Sequence, residues 1–387
     1  MMNIKFKNNL IFKLILAVIL GIVIGQISNT QVIGIINTIK YTIGQLIFFV
    51  IPLIILGFIA PSITKMKANA GKMLFTMILL SYISSIGAAL FSMILGYLII
   101  PNLSISPIVD GLQKLPKLIF MLDVPPVMSV MSALVLSIML GLAVIATKST
   151  KFEDLLNEFN NIVLKIVSKF IIPLLPIFIF STFACLSYEG SITKQLPVFI
   201  KIILIVIISH YIWLTILYSI AGLVSKKNPL EVIRHYGPAY LTAIGTLSSA
   251  ATLPVALTCA KKSKILNKDI VDFAIPLGST THLCGSVLTE VFFLMTVSKV
   301  LYGQLPPLQT MILFIILLGI FAVGAPGVPG GTVLASLGII ISVLKFNDTG
   351  IALMLTIFAL QDSFGTACNI TGDGALALIL QGIFNKK

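Results

Sequence analysis

An all-helical protein embedded in a membrane is the fold class that this sequence predicts, and three observations lead to it. Hydrophobic residues make up 58% of the chain and charged residues only 10%, whereas a soluble domain has about 25% charged residues. The mean hydropathy is +1.10. The apolar residues form blocks long enough for spanning helices, which need about 20 residues, and not the alternating segments of about ten residues typical of membrane β-barrels.

Eight blocks have the length and composition of spanning helices. In chain order they cover residues 10–28, 41–63, 73–100, 128–147, 159–186, 198–224, 270–299 and 351–383. Residues 1–28 also resemble a signal peptide, because Lys5 and Lys7 precede an apolar run. Since the rest of the chain is membranous too, we interpret this segment as an uncleaved first span.

The net charge of +13 is explained by membrane topology rather than by binding to nucleic acid. The lysines gather between the predicted spans, on what would be one side, at positions 65, 67, 72, 148, 151, 226, 227, 261, 262, 264, 268, 386 and 387. This distribution follows the positive-inside rule and predicts a multi-pass protein of the plasma membrane with both termini in the cytoplasm. The four cysteines lack metal-site spacing, so free thiols are expected.

Two segments are apolar enough to enter a membrane but are interrupted. Residues 238–260 have lysines on both flanks, and their middle, 245–254, is rich in helix-weakening Gly, Ser, Thr and Pro. This combination predicts a hairpin that enters from the cytoplasm and returns. Residues 311–345 contain 324-GAPGVPGGT-332, through which an intact helix cannot run. They predict a second hairpin, which opens to the outside.

Each hairpin precedes a long helix with polar residues at its centre, and the two units have opposite orientation. Inverted repeats with broken helices are the signature of secondary transporters, whose binding sites lie near the middle of the bilayer. The simpler alternative is that Gly and Pro occur in many spanning helices without any such role. The sequence offers no nucleophile, metal cluster or phosphate loop that would indicate an enzyme or a bound cofactor.

Four motifs carry a resemblance to a known family: 248-SSAATLPV-255, 276-PLGSTTHLCGS-286, 327-GVPGG-331 and 369-NITGD-373. With these motifs the chain resembles the dicarboxylate/amino-acid:cation symporters, which include the glutamate transporters. The resemblance implies a homotrimer with an elevator-type mechanism. It implies a scaffold built from spans 1, 2, 4 and 5, at residues 10–63 and 128–186. It also implies a moving transport domain, at residues 73–100 and 198–383, which contains the hairpins 238–260 and 311–345.

Polar residues recur on one face of the last helix. Asp362, Thr366, Asn369 and Asp373 follow one another at steps of four, three and four residues. Each ionised carboxylate near the bilayer centre costs roughly 2.5–3.5 kcal/mol on insertion scales, and no Lys or Arg lies in that helix. Their partners are then bound cations, a ligand ammonium group or protons. The alternative is two protonated carboxyl groups that only hold helices together.

The resemblance implies a substrate subsite. Asp362 matches an aspartate that receives the α-ammonium group of the substrate, Asn369 matches an asparagine that binds the α-carboxylate, and Thr366 matches a threonine that lines the pocket. The hairpin tips, at Ser249 and around Val328, match segments whose backbone groups face the α-carboxylate, where helix N-termini favour an anion.

The resemblance also implies a cation subsite. Asp373 matches a carboxylate that ligates sodium, a hard cation that prefers oxygen ligands. Gly278, His282 and Asn369 match positions that offer backbone carbonyl groups to the same ion. Thr280 matches a contributor to a second sodium site near the outer hairpin.

Departures from the family pattern change the expected substrate. Members that carry acidic substrates have an arginine at the position of Gly365 or of Leu247. The single arginine of this chain is Arg234, on the cytoplasmic flank. Since arginine is the natural bidentate partner of a carboxylate, we predict a neutral amino acid, for which Gly365 leaves room.

Departures also change the expected coupling. His282 and Cys284 replace an asparagine and an aspartate that support sodium binding, and a thiol is a poor sodium ligand. Glu290 matches a glutamate that carries a proton in other members, a reasonable role because burial in a low dielectric favours the neutral carboxyl group. Histidine is the side chain whose ordinary pKa lies closest to neutral pH, so His282 is a second candidate for carrying the proton. Packing and hydrogen bonding alone are the alternative for both.

The sequence therefore predicts a symporter that moves a small neutral amino acid with Na⁺, H⁺ or both. A first alternative keeps the family and restores a C4-dicarboxylate or acidic amino acid as the substrate. A second alternative is an uncoupled channel or ligand sensor, against which the two hairpins argue because a sensor needs no second gate.

Overall fold

The computed structural model describes residues 10–65, 72–103, 114–190, 192–325 and 329–384, and every regular element in these ranges is a helix. The elements are α1 (Leu10–Ile27), α2 (Thr30–Lys65), α3 (Lys72–Ile99), α4 (Val130–Thr147), α5 (Thr150–Ile166), α6 (Ile172–Tyr188), α7 (Ile192–Ser225), α8 (Leu230–Ile233), α9 (Gly237–Thr246), α10 (Ser249–Lys261), α11 (Lys268–Thr281), α12 (Cys284–Tyr302), α13 (Leu308–Gly324), α14 (Gly331–Ser342) and α15 (Asp348–Phe384). A short 3₁₀ turn follows α3, and a π-helical turn at Val167–Ile171 joins α5 to α6.

The predicted membrane class is confirmed. Within the described residues, six helical stretches are long and apolar enough to cross a bilayer, and they are α2, α3, α5 with α6, α7, α11 with α12, and α15. The two other predicted blocks, 10–28 and 128–147, form α1 and α4, whose apolar helical stretches are shorter. The second block begins earlier than predicted, because α2 starts at Thr30.

Both interrupted segments are helix–turn–helix units at the predicted positions. Between α9 and α10, Leu247 has a left-handed backbone conformation (φ 51°), and the Ser248 side chain caps the first turn of α10. Between α13 and α14 the helix stops, and Gly330 (φ 71°) starts the return helix in a conformation that glycine adopts without strain. In each unit the two helices pack against each other.

The span predicted over 270–299 is present but is not one continuous helix, because the chain is broken between α11 and α12. His282 has extended backbone angles (φ −108°, ψ 109°), and its N–H group donates to the Gly278 carbonyl oxygen at 2.8 Å. The first amides of α12 are instead capped by Asn369 from α15. This cap comes from a residue far along the chain, so the local sequence did not reveal it.

The most deeply buried helices are the ones that carry the polar motifs. Of the apolar windows in Lys268–Tyr302 and Thr349–Phe384, 94% and 89% of the residues are buried. The helices α3, α7, α9 and α11 pack around α12 and α15. Elsewhere α1 packs on α6, and α2 packs on α4 and α6. The polar groups of α12 and α15 therefore face protein and not lipid, as intramembrane polar residues generally do.

Candidate substrate and cation site

The polar face of α15 is buried along its whole length. Asp362, Asn369 and Asp373 are 4%, 1% and 0% exposed, and Thr366 between them is 4% exposed. With a rise of 1.5 Å per residue, the two carboxyl groups lie about 16 Å apart along the helix axis. They therefore belong to two distinct subsites, each with its own partners.

Asp362 contacts the tip of the second hairpin. Its Oδ2 accepts a hydrogen bond from the Gly330 N–H group at 2.7 Å. Gly330 is the N-cap of α14, and the N-terminus of a helix favours a negative charge. In the first hairpin, Ser249 is the first residue of α10 and is buried. Val328, predicted to lie in this subsite, is outside the described residues.

Asp373 contacts the break between α11 and α12. Its Oδ1 lies 3.0 Å from Nδ1 of His282, whereas its buried Oδ2 has no hydrogen-bond partner among the described residues. A Cβ atom at Gly278 would lie 2.7 Å from Oδ1, so only glycine permits this approach. A buried carboxylate oxygen without a hydrogen-bond partner is the kind of ligand that suits a hard cation. These residues fit sodium, with His282 as a neighbour whose side-chain contact the sequence did not predict.

Asn369 holds the start of α12. Its Oδ1 accepts hydrogen bonds from the N–H groups of Gly285 and Ser286 at 2.7 and 3.2 Å, and its Nδ2 donates to Ser286 Oγ at 2.9 Å. The side-chain amide that was predicted to bind a substrate carboxylate is therefore engaged with α12 in this conformation.

Gly365 lies at a close contact between helices. A Cβ atom placed there would meet Cα, N and Oγ of Ser286 at 3.3–3.4 Å. The expectation that Gly365 leaves room for a sizeable side chain of the substrate is wrong at this point. Because residue 365 itself has no side chain, α12 and α15 pack closely there.

Glu290 and Thr280 lie apart from the Asp373 group. The Ser336 hydroxyl group donates a short hydrogen bond to Glu290 Oε1, and Oε2 has no partner within the described part of the chain. Glu290 therefore ties α12 to α14, and not to α15. Thr280 is exposed, and its hydroxyl group donates to the Leu277 carbonyl oxygen at 2.9 Å within α11.

Two buried groups beside the site were not predicted. Nε2 of His210, on α7, lies 3.0 Å from the Gly285 carbonyl oxygen and 2.9 Å from Thr289 Oγ1. Ser84, on α3, lies 2.9 Å from Nε2 of His282. The available signal was a stripe of hydroxyl groups at helical spacing in an otherwise apolar span, formed by Ser81, Ser84, Ser85 and Ser92.

Comparison with known proteins identifies the family of this chain. The profile of the sodium:dicarboxylate symporter family matches residues 10–383. The chain belongs to that family. It is a family of transport proteins and not of enzymes, as the sequence predicts.

The curated relatives of this family member are amino acid transporters. Over 267 residues the chain is 28% identical to excitatory amino acid transporter 3 of Homo sapiens, and this alignment covers 67% of this chain and 49% of that protein. It is also 28% identical over 263 residues to neutral amino acid transporter B(0) of Mus musculus, with coverage of 67% and 47%. The chain thus spans about half the length of the curated relatives that it matches.

Proposed function

We propose that this protein is a secondary active symporter that carries a small neutral amino acid together with Na⁺, H⁺ or both. The observation that carries the proposal is the environment of Asp362, which is 4% exposed and receives its hydrogen bond from a backbone N–H group of the outer hairpin. None of the ion pairs among the described residues includes Asp362. The ammonium group of an amino acid would supply the missing counter-charge.

The choice of a neutral amino acid rests on the lack of an arginine at positions 247 and 365, where it would bind a second carboxylate. Arg234, the single arginine, is exposed and pairs with Glu231 at the end of α8. Leu247 is buried and apolar, and Gly365 packs against Ser286. The similar proteins include both excitatory and neutral amino acid transporters, so the residues of this chain must decide, and they favour the neutral class.

The coupling ion would be held at the second subsite. Asp373 offers Oδ2, and Gly278 and Asn369 lie on the adjoining backbone of α11 and α15, which supports sodium binding there. Glu290 supports a proton-coupled step, because its one hydrogen bond, from Ser336, leaves Oε2 without a partner in the described structure. Thr280 would serve a second sodium ion after a movement of the outer hairpin. The family name supports sodium.

The architecture that we propose has eight spans and two re-entrant hairpins, with both termini in the cytoplasm of a plasma-membrane protein. Packing supports a division into a scaffold (10–63 and 128–186) and a transport domain (73–100 and 198–383), because α1, α2, α4, α5 and α6 pack mainly on one another and the first hairpin packs on α11 and α15. The second hairpin packs on α3 of the transport domain and also on α2 of the scaffold. We also propose a homotrimer with an elevator movement, which membership of the family supports.

Uptake by proteoliposomes tests the proposal. Radiolabelled neutral amino acids are offered under a sodium gradient and a proton gradient imposed separately, with unlabelled aspartate and succinate as competitors. Accumulation that follows a gradient and resists both competitors supports the proposal. Accumulation of aspartate or succinate would show that an acidic substrate is carried, and conduction without accumulation would show a channel.

A variant pair identifies the site in the same assay. Asp362→Asn should abolish accumulation, because it removes the charge that receives the ammonium group. Asp272→Asn is the matched control, since Asp272 lies on the surface in an ion pair with Lys261, and it should transport like the wild type.

A further inference from the structure

Three buried side chains from separate parts of the chain form one continuous row of hydrogen bonds. Ser84 Oγ lies 2.9 Å from Nε2 of His282, and Nδ1 of the same ring lies 3.0 Å from Asp373 Oδ1. The three residues are 5%, 0% and 0% exposed. The row links α3, the break between α11 and α12, and α15.

The direction of these hydrogen bonds follows from the chemistry of the groups. In the ionised form that would bind a cation, the Asp373 carboxylate only accepts, so Nδ1 of His282 donates to it. A neutral imidazole then has a bare Nε2, which accepts from the Ser84 hydroxyl group. The second hydrogen bond of a histidine ring fixes which nitrogen carries the proton, and here that second bond comes from Ser84.

The ring has little freedom to turn. The backbone N–H group of His282 is held by the Gly278 carbonyl oxygen at 2.8 Å. A Cβ atom at Gly372 would lie 2.8 Å from Cε1 of the ring, so α15 passes directly along the edge of the imidazole. Ser84 closes the remaining side.

We infer that Ser84 and His282 are positioning residues that orient Asp373 for its cation. His282 occupies Oδ1 and leaves Oδ2, which has no hydrogen-bond partner among the described residues, as the oxygen that faces the ion. The inference rests on the proposed function and names the residues that set the cation affinity of its second subsite. The order Ser–His–Asp is also that of catalytic triads, but here the serine is buried between packed helices.

The chain supplies a matched control on the same helix. Ser92 is buried on α3 and donates to the Leu288 carbonyl oxygen of α12 at 2.6 Å. Ser92→Ala removes a hydrogen bond between α3 and α12 and leaves the row of Ser84, His282 and Asp373 intact. Ser84→Thr keeps the hydroxyl group and serves as the rescue variant.

The first readout is the tautomer of His282, measured by ¹⁵N NMR on protein labelled at histidine. The sequence has three histidines, and His282→Gln identifies the signal. We expect Nδ1–H in the wild type, in Ser84→Thr and in Ser92→Ala, and a mixture of both tautomers in Ser84→Ala.

The second readout is sodium binding to the purified protein, followed by tryptophan fluorescence. Trp213 is the only tryptophan, and it contacts α3 at Gly87, about one turn from Ser84. Loss of one neutral hydrogen bond should weaken sodium binding about threefold to tenfold in Ser84→Ala. In uptake this appears as a higher half-saturating sodium concentration with an unchanged maximal rate.

The outcomes separate this inference from the proposed function. A Ser84→Ala protein with the wild-type tautomer and wild-type sodium affinity overturns the inference, as does a Ser92→Ala protein that shows the same changes. Absence of sodium binding to the wild type overturns the inference and sodium coupling together. Sodium binding that depends on Ser84, in a protein that accumulates no amino acid, supports the inference and overturns the proposed function alone.

Discussion

A methyl group at position 285 would force α12 away from α15. The Cβ atom of Gly285→Ala would lie 2.5 Å from the Gly365 carbonyl oxygen and 2.4 Å from Cys368 Cβ. Both atoms belong to or adjoin the backbone of α15, so neither can rotate aside. Contacts of about 3.5 Å are comfortable, and the two helices must therefore separate by about 1 Å.

The cost of this separation has two parts. Overpacking a buried contact costs about 1–3 kcal/mol. The shift also stretches the hydrogen bonds from Gly285 and Ser286 to Asn369, now 2.7 and 3.2 Å, each with a net contribution of about 1 kcal/mol. We expect a loss of about 3 kcal/mol in the free energy of unfolding, which is a factor of roughly 150 in the folding equilibrium.

Thermal unfolding of purified variants, followed by Trp213 fluorescence, measures the effect. Gly245→Ala is the control, because among the described residues no atom outside its own stretch of helix lies within 4 Å of the added Cβ atom, and alanine is favoured over glycine by up to about 1 kcal/mol within a helix. Gly285→Ala should unfold several degrees below the wild type, and Gly245→Ala at or above it. A Gly285→Ala protein that unfolds at the same temperature as the wild type would refute the proposed close contact.

Two further predictions concern carboxyl groups. Ser336→Ala should lower the free energy of unfolding by about 1–3 kcal/mol, because it leaves Glu290 buried without its hydrogen bond. Ser342→Ala is the control and should change this free energy little, because the Ser342 hydroxyl group donates to the Gly338 carbonyl oxygen within its own helix. Equal effects of the two substitutions would contradict the argument. The pKa of Glu231 lies below its ordinary value, chiefly because its carboxylate accepts a hydrogen bond from the Lys264 N–H group and also because the Arg234 charge lies beside it. The contact should therefore protect that amide from hydrogen exchange at neutral pH and lose this protection as the pH falls through the lowered pKa, whereas protection unchanged in acid would contradict it.

Composition and periodicity were enough to predict the helical membrane class and the two places, within 238–260 and 311–345, where a helix is interrupted. These features depend on the chain itself: apolar blocks of spanning length, and Gly, Ser, Thr and Pro where a helix must stop. The spacing of Asp362, Asn369 and Asp373 also placed them correctly on one buried face of α15.

The partners of those residues could not be predicted, because each comes from a distant part of the chain. The break at His282 depends on Asn369, which caps α12 from α15. The contact between His282 and Asp373 depends on that break, and its second hydrogen bond comes from Ser84 on α3. Gly365 reads in the sequence as free space, and only the packed helices show that Ser286 lies against it.

The measurement that tests the central claim most directly is accumulation of a neutral amino acid against its concentration gradient, in proteoliposomes that contain either wild-type protein or Asp362→Asn. The account predicts accumulation by the wild type when a cation gradient is imposed, and none by the variant under any gradient. Equal accumulation by the two proteins would contradict the role of Asp362 as the receptor of the ammonium group.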